Sequence, residues 1–182
     1  VVFAYPMISG RTMKANELTA LATHVHQGGH LLAFDVQGGG LEPLFGVASP
    51  PAPVPADALI WSVASVDPQE RETRISRAGT EAAVGALAYS ESTGEVLARY
   101  PDGQAGLICR RAVGRACVLG VDIGALTQRA YNGRGEGIAR SYVNAYEPSL
   151  DTLYAWLADF YVEGEPMPLL IDTAPPGKDV SI

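Results

Sequence analysis

The chain has 182 residues, a formal net charge of -7, and 47% hydrophobic against 18% charged residues. That length and balance fit one globular core and exclude disorder or a fibrous repeat. Basic residues are dispersed apart from short pairs such as Arg110-Arg111, which argues against nucleic acid as a partner, and no run of about 18 apolar residues provides a membrane span.

Residues 1–5 read as a strand closed by Pro6. A chain that opens inside a strand, with no Met start and no leader, reads as a fragment, and its compartment stays open. In residues 16–27, Leu18, Leu21, Ala22 and Val25 fall on one helical face, and Gly28-Gly29 ends the helix. Residues 30–34 return as a strand. Strand, helix, strand is the unit of a parallel sheet, so the expected fold is α/β: a flavodoxin-like or Rossmann-like, mostly parallel sheet flanked by helices.

The segment Asp35-Val36-Gln37-Gly38-Gly39-Gly40 follows at the carboxyl end of that strand, where open α/β sheets place their ligands. Residues 41–47 read as a short helix or turn, and the proline-rich residues 50–55 as an extended surface linker. Strands are then expected at 59–66, 72–77, 82–89, 94–100, 105–111 and 116–121, with Pro101-Asp102-Gly103 as a turn. They are read as antiparallel hairpins inserted on the α/β core, the β-rich insertion covering about 56–113. A last helix starts at an N-cap Ser149, with Asp151 in its first turn and an apolar stripe from Leu150 to Tyr161. Residues 1–172 thus form one domain, and 173–182 a linker toward a missing C-terminal domain.

Five stretches carry a resemblance. They are Gly28-Gly29-His30-Leu31-Leu32-Ala33 with Leu44-Phe45-Gly46-Val47; Val96 to Gly103, which ends in Tyr100-Pro101-Asp102-Gly103; Gly114 to Gly124; and Tyr142-Val143-Asn144-Ala145-Tyr146-Glu147-Pro148-Ser149-Leu150-Asp151. Together they resemble the glutamine-amidotransferase-like domain that precedes the catalytic domain in some bacterial polysaccharide deacetylase family proteins. The resemblance implies a noncatalytic accessory domain in carbohydrate metabolism, with a deacetylase-like domain of the same chain as its partner and a glycan as its candidate ligand. In such proteins a stretch like Pro176-Gly177-Lys178 leads to a metal-binding motif, which this sequence does not reach. No metal ligand, cofactor or catalytic residue is therefore carried over.

The residues agree with a noncatalytic reading. An amidotransferase needs a Cys nucleophile on a tight elbow beside a His, yet the turn at 35–40 holds neither Cys nor Ser. Cys109 and Cys117 flank a turn at Gly114; two buried free thiols are the favoured reading, and a disulfide across a hairpin the other. His24 and His26 project to different sides of a helix, and with His30 they do not form a metal set. The candidate ligand-binding residues are Asp35, Gly38, Gly39, Gly40, Asp122 and Arg134. Two alternatives stand beside the accessory reading: an oligomerisation or interaction module that pairs copies of the chain, and a degenerate hydrolase using Asp35 and Asp122 as a carboxylate pair.

Overall fold

The structure is a computed structural model that describes residues 2–62, 71–75, 86–122 and 150–162. β1 (Val2–Ser9), α1 (Ala15–His26) and β2 (His30–Gln37) form the expected strand–helix–strand unit, with β1 and β2 parallel from Val2↔His30 to Ser9↔Gln37. The Lys14 backbone N–H donates to Glu17 Oε2 at 2.7 Å, satisfying a donor that the helix start leaves open, and Leu18, Leu21 and Val25 are buried. β1 runs through Pro6 rather than stopping there. Among the described residues it is an edge strand, hydrogen-bonded only to β2, so a proline without an N–H is tolerated.

The larger part of the sheet departs from the expected fold. β4 (Ala58–Trp61), β5 (Glu72–Arg74), β7 (Glu95–Arg99), β8 (Ala105–Arg111) and β9 (Arg115–Leu119) join β1 and β2 in one seven-stranded sheet of order β1-β2-β9-β8-β7-β4-β5. Among the described strands only β1–β2 and β2–β9 pair in parallel; β9–β8, β8–β7, β7–β4 and β4–β5 are antiparallel. The fold is therefore a mixed sheet with few helices, not a mostly parallel flavodoxin-like or Rossmann-like sheet. The hairpins do not decorate a parallel core; they extend the same hydrogen-bonded ladder across most of its width.

A further pair, β3 (Ala52–Pro53) and β6 (Leu87–Ala88), is antiparallel, so the proline-rich stretch read as a linker includes two sheet residues. The expected strand at 59–66 ends at Trp61, and residues 63–70 lie outside the described residues. The Pro101-Asp102-Gly103 turn is as expected: the Gly103 N–H donates to the Tyr100 carbonyl at 2.9 Å, and Asp102 Oδ1 accepts from the Gln104 N–H at 3.0 Å.

Side-chain alternation along the strands builds two apolar layers. Ala116, Val118 and Ile108 join Leu18, Leu21, Val25 and Phe45 of α2 (Glu42–Phe45) on one face. Cys109, Cys117, Leu107 and Leu119 join Trp61, with Leu153 and Phe160 of α3 (Leu150–Val162), on the other. Trp61 Nε1–H donates to Thr73 Oγ1 at 2.8 Å, so the buried indole is satisfied and ties β4 to β5. No helix among the described residues is long and apolar enough to cross a membrane.

The two cysteines are not free thiols. Cys109 and Cys117 are directly opposed on β8 and β9 and form a disulfide, with Cα atoms 4.1 Å apart. The register explains it. The Gly120 N–H donates to the Gly106 carbonyl and the Ala112 N–H to the Gly114 carbonyl, which makes those pairs hydrogen-bonded. Cys109↔Cys117 is an odd number of steps from both, so it is a non-hydrogen-bonded pair, where opposed Cα atoms approach most closely. Replacing both cysteines with alanine is expected to lower the unfolding free energy by about 2.5 kcal/mol, the chain-entropy value for so short a loop. Urea unfolding checks this, and an unchanged midpoint would contradict the cross-link.

Candidate functional site

At the carboxyl end of β2 the backbone changes from a buried strand to the glycine turn. Asp35 is the last buried polar residue before it and only 5% exposed. Its neighbour on β1 is the half-exposed Met7. Gln37 Nε2 donates to Asp35 Oδ2 at 2.8 Å, whereas Oδ1 is buried with no hydrogen-bond partner among the described residues. Burial pushes the Asp35 carboxyl above the ordinary carboxylate range, and the Gln37 donor offsets part of that rise.

Tyr89 closes the inner side. Its hydroxyl donates to the carbonyl of Phe34, the residue before Asp35. Burial first, then the nearby Asp35 and Tyr100, push the Tyr89 phenol far upward, so it stays a protonated donor. No sequence signal pointed to Tyr89, because its approach to Phe34 depends on pairing between segments 55 residues apart.

Gly38, Gly39 and Gly40 have φ of 69°, 82° and 77°, a left-handed run that side chains disfavour. The space is also tight: a Cβ on Gly10 would stand 2.6 Å from the Gly39 nitrogen. The turn therefore packs against the loop between β1 and α1. The Gly38 N–H already donates to Glu42 Oε1 at 2.6 Å, so that amide is committed to the start of α2, with a carboxylate beside it. A neutral hydroxyl suits this turn better than an anion.

Asp122, half-buried, lies three residues beyond the end of β9, the strand next to β2 and parallel to it. Asp35 and Asp122 thus share one end of the sheet. Arg134 lies outside the described residues, as do Arg129, Arg140, Tyr142 and Tyr146. Trp156 is a packing residue, its ring 6.2 Å from Trp61 and 5.6 Å from Phe160.

The histidines serve local structure. His24 Nε2 lies 3.1 Å from the His30 carbonyl, His26 is exposed, and His30 Nδ1 lies 3.0 Å from the Phe160 carbonyl. Among the described residues, no group of three His, Cys, Asp or Glu side chains could hold a metal ion.

No protein-family model matches the chain, and no curated protein sequence does. Among solved structures, the exo-beta-1,4-mannosidase Op5Man5 from Opitutaceae bacterium strain TAV5 is similar at 16% identity and a TM-score of 0.48. The match covers 85% of this chain and 25% of the mannosidase.

Asp35 has a testable effect on stability. Its folded pKa lies above the ordinary 3.8, so the protonated form favours the fold. That contribution is complete below about pH 4 and is lost as pH rises through the raised value. Asp35→Asn, which stays neutral, is expected to melt with the native protein at about pH 3 and above it at about pH 7. Thermal scans across that range check the sign, and a lower midpoint for the variant at neutral pH would contradict the assignment.

Proposed function

We propose that this chain is a noncatalytic, glutamine-amidotransferase-like accessory domain of a polysaccharide deacetylase-like protein, where it supports glycan binding or packs on the deacetylase domain. One observation carries the noncatalytic part: the sequence has two cysteines, and they are bonded to each other. Amidotransfer needs a thiolate nucleophile, and both sulfurs of this pair sit in the core, with Cys109 4% and Cys117 0% exposed. The glycine turn that would serve as an elbow has no hydroxyl or thiol at its apex.

Asp35 supports the glycan-binding part. A buried carboxyl oxygen with no partner is costly, and a ligand hydroxyl would satisfy it. The Tyr89 phenol and the tight glycine turn hold that corner of the sheet in place before any ligand arrives. The carbohydrate context itself rests on the sequence resemblance.

A degenerate hydrolase is the second reading, and the upward shift of the Asp35 carboxyl lies in the direction that a general acid needs. It needs Asp122 to converge on the same pocket, within the roughly 5 to 10 Å that separates paired glycosidase carboxylates.

Two assays on the oxidised protein separate these readings. With glutamine, p-nitrophenyl acetate and N-acetylglucosamine oligomers, no turnover above buffer is expected. On a glycan array the native protein is expected to bind, and Asp35→Ala to lose about tenfold in affinity, the worth of one charge-assisted hydrogen bond. Turnover abolished by Asp35→Asn would overturn the noncatalytic reading in favour of the hydrolase.

A further inference from the structure

Asp35 holds more than an unsatisfied oxygen: it is a buried carboxyl with no positive charge against it among the described contacts. Its hydrogen-bond donor is the neutral Gln37 amide, and the described ion pairs, Arg74–Glu72 and Arg99–Glu91, do not include it. We propose, resting on the glycan-binding reading of this corner, that the group Asp35 receives is a protonated primary amine and the ligand an amino sugar with a free amine.

A hydroxyl and an ammonium can both donate to Oδ1, and they differ in what they leave behind. A hydroxyl adds one hydrogen bond to a carboxylate that stays without a counter-charge; an ammonium supplies the bond and the charge together. Burial raises the Asp35 carboxyl, and a cation at Oδ1 opposes that rise. Tyr89 supplies no such charge, since its phenol is neutral and its hydroxyl is committed to the Phe34 carbonyl. Arg11 and Lys14, on the loop that packs against the glycine turn, are both exposed, and neither is paired with Asp35 among the described contacts.

The shape of the acceptor selects the cation. Gln37 Nε2 occupies Oδ2 at 2.8 Å, so Oδ1 alone is open. A guanidinium is best matched by two carboxylate oxygens side by side, whereas a compact ammonium suits one. A metal ion needs more ligands than this corner offers, and among the described residues no group of three His, Cys, Asp or Glu side chains could hold one. Gln37 is exposed and carries a further acceptor, Oε1, for a second hydrogen of the ammonium.

There is room for a sugar beside the carboxyl. Adjacent residues aside, no heavy atom stands within 4 Å of where a Cβ on Gly38 or Gly40 would sit, so the turn borders open space. Met7, opposite Asp35 on β1, is 46% exposed, and its unbranched thioether side chain adapts easily to a neighbour. Glu42 accepts from the Gly38 N–H at 2.6 Å, which places a second carboxylate at the turn. In a chain of net charge -7, the field at this corner draws a cation and repels an anion.

The test is titration of the oxidised protein with the β-1,4-linked disaccharides of glucosamine, N-acetylglucosamine and glucose, followed by amide chemical shifts. Salt of about 0.15 M screens general attraction to an acidic protein. The glucosamine disaccharide is expected to bind about tenfold more tightly than either neutral one, the difference between a charge-assisted and a neutral hydrogen bond, with shifts centred on residues 35–41. Asp35→Asn is expected to erase that preference. Asp159→Asn removes an exposed carboxylate beside Phe160, whose carbonyl lies at the other end of β2, and is expected to keep it. An amine that binds no better than the neutral sugars, or a preference that survives Asp35→Asn, would overturn the proposal. Asp35-dependent binding of a neutral glycan would then leave the broader glycan reading standing, and no binding in this titration or on the glycan array would overturn both.

Discussion

The structure depends on how β9 is held between two unlike neighbours. On one side it pairs in parallel with β2, and on the other it is antiparallel to β8. The Cys109–Cys117 bond sits on that second seam, among Trp61, Leu107, Leu119 and Phe160. It staples β8 to β9, the strand that on its other side pairs with β2 of the strand–helix–strand unit. A non-hydrogen-bonded pair is where two opposed side chains can meet with little backbone adjustment, so the staple follows from the register. The same bond removes the two sulfurs from nucleophilic chemistry.

Strand polarity then sorts the polar groups between the two ends of the sheet. At the carboxyl ends of β2 and β9 stand Asp35 and Asp122, with the glycine turn and Tyr89 around the first. At the amino ends of the same strands stand His30 and Arg115, with Arg111 beside them. Both ends contain a polar group that is buried and fixed by its neighbours: a carboxyl held by Gln37 at one, a guanidinium held by two aromatic rings at the other. Of these, Asp35 has a buried oxygen with no hydrogen-bond partner among the described residues, which costs stability and is where a ligand donor would gain most.

Local elements were legible in the sequence, and their assembly was not. The stripe of Leu18, Leu21 and Val25 marks α1, the Pro101-Asp102-Gly103 turn marks the β7–β8 hairpin, and the Leu150 to Tyr161 stripe marks α3. Each depends on neighbours a few residues away. Strand direction does not. β9 is buried along its whole length, and β8 nearly so, because apolar side chains pack against both faces. A strand buried on both faces has no alternation to mark it as antiparallel, so it reads like a strand of a parallel sheet. The hairpins at about 56–113 were expected as an insertion on a mostly parallel core, and what the pairing of β8, β7, β4 and β5 overrules is that placement: they are most of the sheet itself. The candidate residues divide the same way: Asp35 was found from its place at a strand end, while Tyr89 acquires its place only through long-range register. The cysteines show the limit most plainly, since a separation of eight suits both free thiols and a hairpin disulfide, and only the parity of the ladder decides.

The central claim is best tested by mass-spectrometric peptide mapping, without reduction, of protein folded under oxidising conditions and alkylated in denaturant. The account predicts one linked peptide pair containing Cys109 and Cys117, with no alkylated cysteine. A folded, sheet-rich protein in which both cysteines are alkylated would contradict it.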